Sequence, residues 1–486
     1  MLKKISIDPI TRLEGHGKID IFLNDEGNVE NAYLQIPELR GFEKFCEGRP
    51  AEELPRIVSR ICGVCPEAHH LASTKALDAV WSVEPTPTAK KLRELMYCAH
   101  IIHSHTAHFY ALAAPDFVLG PDAKPEERNI LGVIAKVGLE IGKEVIKHRS
   151  YAQQIQAIIG GKATHPVCGL PGGMSKGLNE DERKDIEEKA KSCVKFAKLS
   201  LKIFEDVVLK NKSYVELIQG EVYRINTYFM GLVDENNKVN FYDGKVRVVD
   251  QEGKEFAKFD AQEYLDHIAE HVEPWTYLKF PYLKKVGWKG FVDGVDSGIY
   301  RVGPLARLNV ADGMATPMAQ EAYERMYETL GKKPVQATLA YHWARLVELM
   351  YAAERLLELA VDEAITSKDI RRLPTATPSE GVGIVEAPRG TLFHHYRTDA
   401  NGMIEKVNLI VATGNNNAAM NMSVKKAAQE LIKNGQVEQG LLNMVEMAFR
   451  AYDPCMACAT HSLPGQMPLE IRIFDAEKTL CHKIIR

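Results

Sequence analysis

Two short motifs supply four thiols at metal-ligand spacing: Cys62-Gly63-Val64-Cys65 near one end of the chain and Cys455-Met456-Ala457-Cys458 near the other. Thiolates are soft donors that select soft metals and metal clusters. A zinc ribbon places its two pairs about 15 to 20 residues apart, whereas 393 residues separate these. A disulfide redox motif would explain one pair only, and it belongs at a helix start in a βαβ setting that neither pair shows. Four thiolates drawn from opposite ends of a chain form a site only after the whole protein has folded. That places the chemistry in the core.

Other chemistry-bearing patterns carry less. His267-Ile268-Ala269-Glu270-His271 fits the H-x-x-E-H pattern, which on a helix would present two histidines on one face. Pro274 follows closely and no later acidic ligand is identifiable, so zinc is not expected there. His100, His103, His105 and His108 crowd one predicted helix but fall on more than one of its faces, which suits buried or interfacial histidines. The segment GLPGGMSKG lacks the phosphate-loop spacing, and no dinucleotide fingerprint occurs. Cys46, Cys98, Cys168, Cys193 and Cys481 have no ligand spacing and read as ordinary core or surface thiols.

The elements that must position the four cysteines are mostly helical. Helix patterns run from Thr88 to Ala114, from Glu127 to Gly160, and from Asp181 to Lys210, where acids open the run and lysines close it. After Pro334, read as a helix-starting proline, Leu339, Trp343, Leu346, Met350, Ala353 and Leu357 mark one face of a core helix. Short strands are expected at Lys18 to Leu23 and Ala32 to Ile36 around a turn at residues 25–28, and a strand-rich excursion at 212–300. The 486 residues, 45% hydrophobic and 26% charged, can bury a large core, and no linker or repeat divides them. A formal net charge of −4 gives no reason to expect nucleic acid or an anionic membrane. The amino terminus reaches Asp8 and Pro9 before any apolar run, and no stretch of 18 apolar residues occurs, so neither a signal peptide nor a membrane span is expected. Reduced thiols in a cytoplasm fit the odd count of nine cysteines.

The segments Arg60-Ile61-Cys62-Gly63-Val64-Cys65 with His69, and Asp453-Pro454-Cys455-Met456-Ala457-Cys458-Ala459-Thr460-His461, resemble the two metal-binding signatures of nickel-iron hydrogenase large subunits. The runs Asp8 to His16, Arg40-Gly41-Phe42-Glu43, His165-Pro166, Pro171-Gly172-Gly173 and Glu386-Ala387-Pro388-Arg389-Gly390 extend the resemblance across the chain. It implies an α+β fold, predominantly α, with a bundle of long helices and peripheral β elements. It makes Cys62, Cys65, Cys455 and Cys458 the nickel ligands, with Cys65 and Cys458 bridging to an iron that carries cyanide and carbon monoxide. Dihydrogen would be split heterolytically, with Cys455 taking the proton and Glu14 carrying it onward. Arg389 would overhang the open site, held by Asp116 and Asp453, with Pro388 and Thr413 beside the cofactor. His69 would support a bridging sulfur. Glu43, the backbone carbonyl of Leu409 and His461 would surround a magnesium ion.

No remaining cysteine set suits an iron–sulfur cluster, so the resemblance implies an iron–sulfur small subunit to receive the electrons. It is greatest to the cytoplasmic methyl-viologen-reducing type linked to heterodisulfide reductase; NAD- or deazaflavin-linked hydrogenases are the alternative. A quinone-reductase relative sharing the fold, and a structural zinc protein, are the readings from other classes. In the family a maturation endopeptidase cuts after the position of His461, so one catalytic domain is expected at 1–461, with the 25 residues of 462–486 removed. Alternation of Leu469, Ile471 and Ile473 with charged residues gives that tail strand character.

Overall fold

The computed structural model describes residues 3–36, 40–124, 126–459, 470–474 and 480–485. Its centre is a bundle of four long helices, Pro87–Ala107, Leu139–Gly160, Glu180–Phe204 and Tyr341–Val361. The helix Tyr341–Val361 packs on Pro87–Ala107 and Glu180–Phe204, and Leu139–Gly160 packs on the same two from another side. Glu180–Phe204 begins with a capping box between Asn179 and Glu182, and acids fill its first turn. Those acids face the positive end of the helix dipole, as the sequence pattern requires. No helix among the described residues is long and apolar enough to cross a membrane.

Three expected helices change at their ends. The 127–160 run breaks at Gly138, whose φ of 99° separates Ile130–Val137 from Leu139–Gly160. The Thr88 to Ala114 run becomes a π-helical turn at His108–Ala113, just before Pro115, which lacks the amide hydrogen a regular helix would use. Pro334 does not start the core helix. It lies in a segment held by the Val335 amide on Asn309 and by Gln336 on Thr227, so the helix begins at Tyr341. That helix is also buried on nearly every side as far as Glu354, rather than along one face. Burial of Arg345 and Glu348 within it hid its central position from a hydrophobic count.

Among the described residues, three sheets have three or more strands. Lys3–Ile7, Lys18–Leu23 and Val29–Gln35 form an antiparallel meander. The excursion holds a four-stranded sheet in the order Tyr300–Arg301, Tyr228–Val233, Lys245–Val249, Glu255–Phe259. The third sheet, Glu380–Ala387, Gly390–Thr398 and Ile404–Ile410, is antiparallel, and its first turn places Arg389 between Ala387 and Gly390. In the tail, Glu470–Phe474 pairs antiparallel with Leu480–Ile485.

The third sheet carries the helix Pro66–Val80, which begins one residue after Cys65 with Pro66 at its first position. Their contact is so close that a Cβ on Gly383 would lie 2.0 Å from the Ala72 carbonyl oxygen and 2.3 Å from the Ala76 nitrogen. Neither backbone atom can swing aside as a side chain would. Gly383→Ala is therefore expected to destabilise the chain by about 3 kcal/mol, at the upper end of ordinary overpacking costs. Denaturant unfolding checks this, and a midpoint equal to that of the native sequence would refute the close-approach explanation.

Candidate metal centre

The two cysteine motifs reach one place by different routes. Cys62 follows the short helical turn Ser59–Ile61, and Cys65 caps the helix Pro66–Val80. Cys455 follows the helix Gln439–Arg450 and an Asp453 in left-handed conformation, φ 55°. It pairs in a parallel bridge with Glu14, and Met456–Ala459 forms a short helix beyond it.

The four sulfurs lie within 4.8 Å of one another and all four residues are buried. Cys62 Sγ is 3.2 Å from Cys455 Sγ, Cys65 Sγ is 3.2 Å from Cys458 Sγ, and the sulfurs of Cys455 and Cys458 are 3.1 Å apart. Burial raises the thiols of Cys455 and Cys458 well above their ordinary range. Against its own burial, hydrogen bonds from the other three sulfurs lower Cys62. The cluster thus shares hydrogens between sulfurs and releases them when a soft metal takes their place. As a donor set it fits a thiolate-held nickel-iron centre.

Glu14 faces this cluster. Its Oε2 accepts from Cys455 Sγ at 3.0 Å and from the Ala457 amide at 3.0 Å, while its backbone oxygen accepts from the Met456 amide at 2.9 Å. Burial, reinforced by Cys62, raises its carboxyl above the usual carboxylate range. Arg389 is fixed by bonds from Nε to the Asp453 carbonyl at 2.7 Å and from Nη2 to Asp453 Oδ1 at 3.1 Å. Burial opposes its charge, yet Asp453 and the cysteine sulfurs hold the guanidinium protonated well above its normal range. The carbonyl of Pro388 accepts from Arg307 at 3.4 Å, which anchors the turn before Arg389. Thr413 Oγ1 accepts the Cys455 amide at 3.1 Å. His69 Nε2 is 3.5 Å from Cys458 Sγ and its Nδ1 is 3.1 Å from His394 Nε2. Burial pushes His69 down to about 4, which favours the neutral ring.

One expected partner is elsewhere. Asp116 does not hold Arg389; it pairs through Oδ1 with Arg12 and through Oδ2 with Arg450 Nη1 at 2.7 Å. A π-helical turn, His108–Ala113, lies just before it in the chain. Ser104, on the other side of that turn, is the second group at Arg389, 3.3 Å from Nη1. Asp116 instead anchors the loop that carries Glu14, because Arg450 also donates to the Thr11 carbonyl at 3.1 Å and to Glu446 at 2.6 Å. Asp116→Asn would take the shared carboxylate from the half-buried Arg12 and the buried Arg450, of which Arg450 keeps Glu446, and is expected to cost about 3 kcal/mol. Thermal unfolding measures it, and an unchanged midpoint would show that the pairing carries no stability.

Glu43 lies beside Leu409, but its Oε1 accepts the Leu409 amide at 2.8 Å rather than meeting the carbonyl. His461 lies outside the described residues. The discounted features have other partners. His105 bonds Glu348, His108 the Arg450 carbonyl, and His103 Arg149, each at 2.9 Å. The H-x-x-E-H segment leaves its helix at His267 and continues as the strand Ile268–Val272, so its two histidines share no helical face. Ser104, His394 and Arg40 are site residues to which the sequence reading gave no role. Arg40 was within reach because it stands in the Arg40 to Glu43 block.

A helical protein that gathers four buried thiols from its two ends, beneath a fixed arginine and beside a protonatable glutamate, belongs to the class of thiolate-held metalloenzymes. The nickel-dependent hydrogenase family matches the chain at residues 40–127 and 143–461, and a HoxL-like family matches residues 4–39. The chain belongs to the nickel-dependent hydrogenase family, in which it is a large subunit. The corresponding chain of an F420-non-reducing hydrogenase from Archaeoglobus profundus is 54% identical over 484 residues, with 99% of each chain covered. Its counterpart in an F420-non-reducing hydrogenase from Methanothermobacter thermautotrophicus is 44% identical, covering 99% of this chain and 100% of its own. Among solved structures, an NAD+-reducing [NiFe]-hydrogenase in the H2-reduced state superposes with a TM-score of 0.89 at 38% identity, over 94% of this chain and 99% of that one. The helical bundle with flanking sheets is thus the large-subunit fold of this family, as the resemblance implied.

Proposed function

We propose that the chain cleaves dihydrogen reversibly and heterolytically at a nickel-iron centre held by Cys62, Cys65, Cys455 and Cys458. The observation that carries this reading is the contact of Glu14 Oε2 with Cys455 Sγ, at 3.0 Å, on the edge of the four-sulfur cluster. When bound, the centre supplies an open coordination position at which dihydrogen is polarised. Cys65 and Cys458 are assigned the bridging positions to an iron carrying cyanide and carbon monoxide, and Cys62 and Cys455 the terminal ones.

The protein's own groups handle the proton. The Cys455 sulfur accepts it, and Glu14 takes it from the sulfur across their hydrogen bond. A carboxyl raised above its usual range exchanges a proton with a neighbouring sulfur more readily than an ordinary carboxylate does. Arg389, held by Asp453 and Ser104, keeps a fixed cation beside the sulfurs without reorganisation during the reaction. Thr413 and Pro388 are assigned to the diatomic ligands of the iron, and His69 supports the Cys458 sulfur. Glu43, the Leu409 carbonyl and His461 are assigned to magnesium.

The electrons pass to an iron–sulfur small subunit, since among the described residues no second group of cysteines, histidines and acids gathers into a metal site. The names of the two F420-non-reducing relatives speak against a deazaflavin acceptor; the cytoplasmic setting and the heterodisulfide-reductase acceptor of the methyl-viologen-reducing type are assigned on the sequence resemblance alone. The structural likeness to an NAD+-reducing enzyme keeps an NAD-linked acceptor as the second reading. A maturation endopeptidase removes residues 462–486 once nickel is in place. Purification of the assembled enzyme tests the whole reading. Hydrogen uptake with viologen, copurifying heterodisulfide reductase chains and a large subunit whose intact mass ends at His461 support it. A flavoprotein diaphorase as the partner supports the NAD-linked reading, and nickel-loaded enzyme without hydrogen uptake refutes both.

A further inference from the structure

A single nitrogen of Arg40 ties the two cysteine motifs together. Nη1 donates to the Ile61 carbonyl at 2.5 Å and to the Ala457 carbonyl at 2.7 Å. Ile61 directly precedes Cys62, and Ala457 lies between Cys455 and Cys458. A guanidinium Nη carries two hydrogens, so both bonds form at once. The group is further braced over the Phe42 ring, 5.1 Å from its centroid.

Segments 393 residues apart in the chain have no local reason to remain in contact. Glu14 grips the carboxy-terminal motif from one side, through Cys455, Met456 and Ala457. Arg40 reaches both motifs, and it reaches them through backbone carbonyls, so it senses where the two segments lie rather than which side chains they carry. A cation on two carbonyls also makes charge-assisted bonds, stronger than those between neutral groups.

We propose that Arg40 is a positioning residue that closes the Cys455–Cys458 segment over Cys62 and Cys65 and thereby sets how tightly the centre keeps its metal. The inference rests on the reading that the four cysteines hold nickel. Its chemical requirement is a planar guanidinium between two carbonyls, which a simple ammonium does not meet equally well.

Arg40→Ala in the assembled enzyme is expected to lose nickel to excess EDTA at least about tenfold faster than the native sequence, the scale on which groups supporting metal ligands act. Because Arg40 is only partly buried, millimolar methylguanidinium should slow that loss, and methylammonium at the same concentration should not. In the full-length metal-free chain, iodoacetamide should alkylate Cys455 and Cys458 faster in the variant, as followed by peptide mass. This second readout separates the two ideas: absence of nickel from the native enzyme would refute the nickel reading, while the alkylation rates still judge the clamp. Arg40→Lys keeps the charge and most of the stem, and it should fall between the two. Should Arg40→Ala fail to accumulate, the lysine variant decides. Native nickel retention together with native alkylation rates in whichever variant is obtained would overturn the proposal, as would rescue by methylammonium equal to that by methylguanidinium.

Discussion

Cys65→Ala is expected to yield an assembled enzyme without stoichiometric nickel and with hydrogen uptake at background. Its sulfur is 3.2 Å from Cys458 Sγ and belongs to a four-sulfur group that spans only 4.8 Å, so removing it opens one corner of the donor set. Three thiolates in a sealed core offer no substitute, because the neighbouring His69 bonds His394 through its other nitrogen and faces Cys458. The loss of rate should be at least about 10⁴-fold, comparable with removing a member of a catalytic unit that acts as a whole. Cys193→Ala, at a buried cysteine outside the cluster, should keep its nickel. Metal analysis of both variants checks the contrast, and nickel retained in full by Cys65→Ala would exclude this cysteine as a ligand.

Glu14→Gln should have the opposite signature, with nickel retained and the rate lowered by about 10²- to 10⁴-fold, the range for losing a general acid–base group. The amide oxygen of glutamine can still accept the Ala457 amide that Glu14 accepts at 3.0 Å, so the loop stays in place. What disappears is a group able to take and release a proton 3.0 Å from the Cys455 sulfur. The sign of the pH effect follows from burial, which favours the neutral carboxyl and raises its titration above the usual range. In the native enzyme the limb of the rate profile set by Glu14 should therefore lie higher than an ordinary glutamate would give. In Glu14→Gln that limb should vanish. A profile and rate unchanged by the substitution would remove Glu14 from the proton path.

The cysteine cluster was legible in the sequence because C-x-x-C spacing survives any path the chain takes between its ends. The long helices were legible for a related reason, since periodicity and end charges are local properties. Asp116 was not. It was carried over by its place in a motif, and the fold pairs it with Arg12 and Arg450, partners from distant parts of the chain that no local pattern announces. Ser104 escaped notice because a serine on a buried helix carries no spacing signal, and its contact with Arg389 is set by the third sheet. Pro334 misled because a proline is equally at home before a helix and in an extended segment, and the choice was made by Asn309, far from it in sequence. Glu14 alone would read as a surface acid. The family resemblance singled it out, and the fold adds the reason: the loop it rides on, anchored through Arg12, Asp116 and Arg450, meets the Cys455 segment.

The nickel environment is the most direct measurement of the central claim. X-ray absorption at the nickel edge of the purified, assembled enzyme should show a shell dominated by sulfur, as expected from Cys62, Cys65, Cys455 and Cys458. Nickel surrounded mainly by nitrogen and oxygen, or zinc in its place at full occupancy, would contradict it.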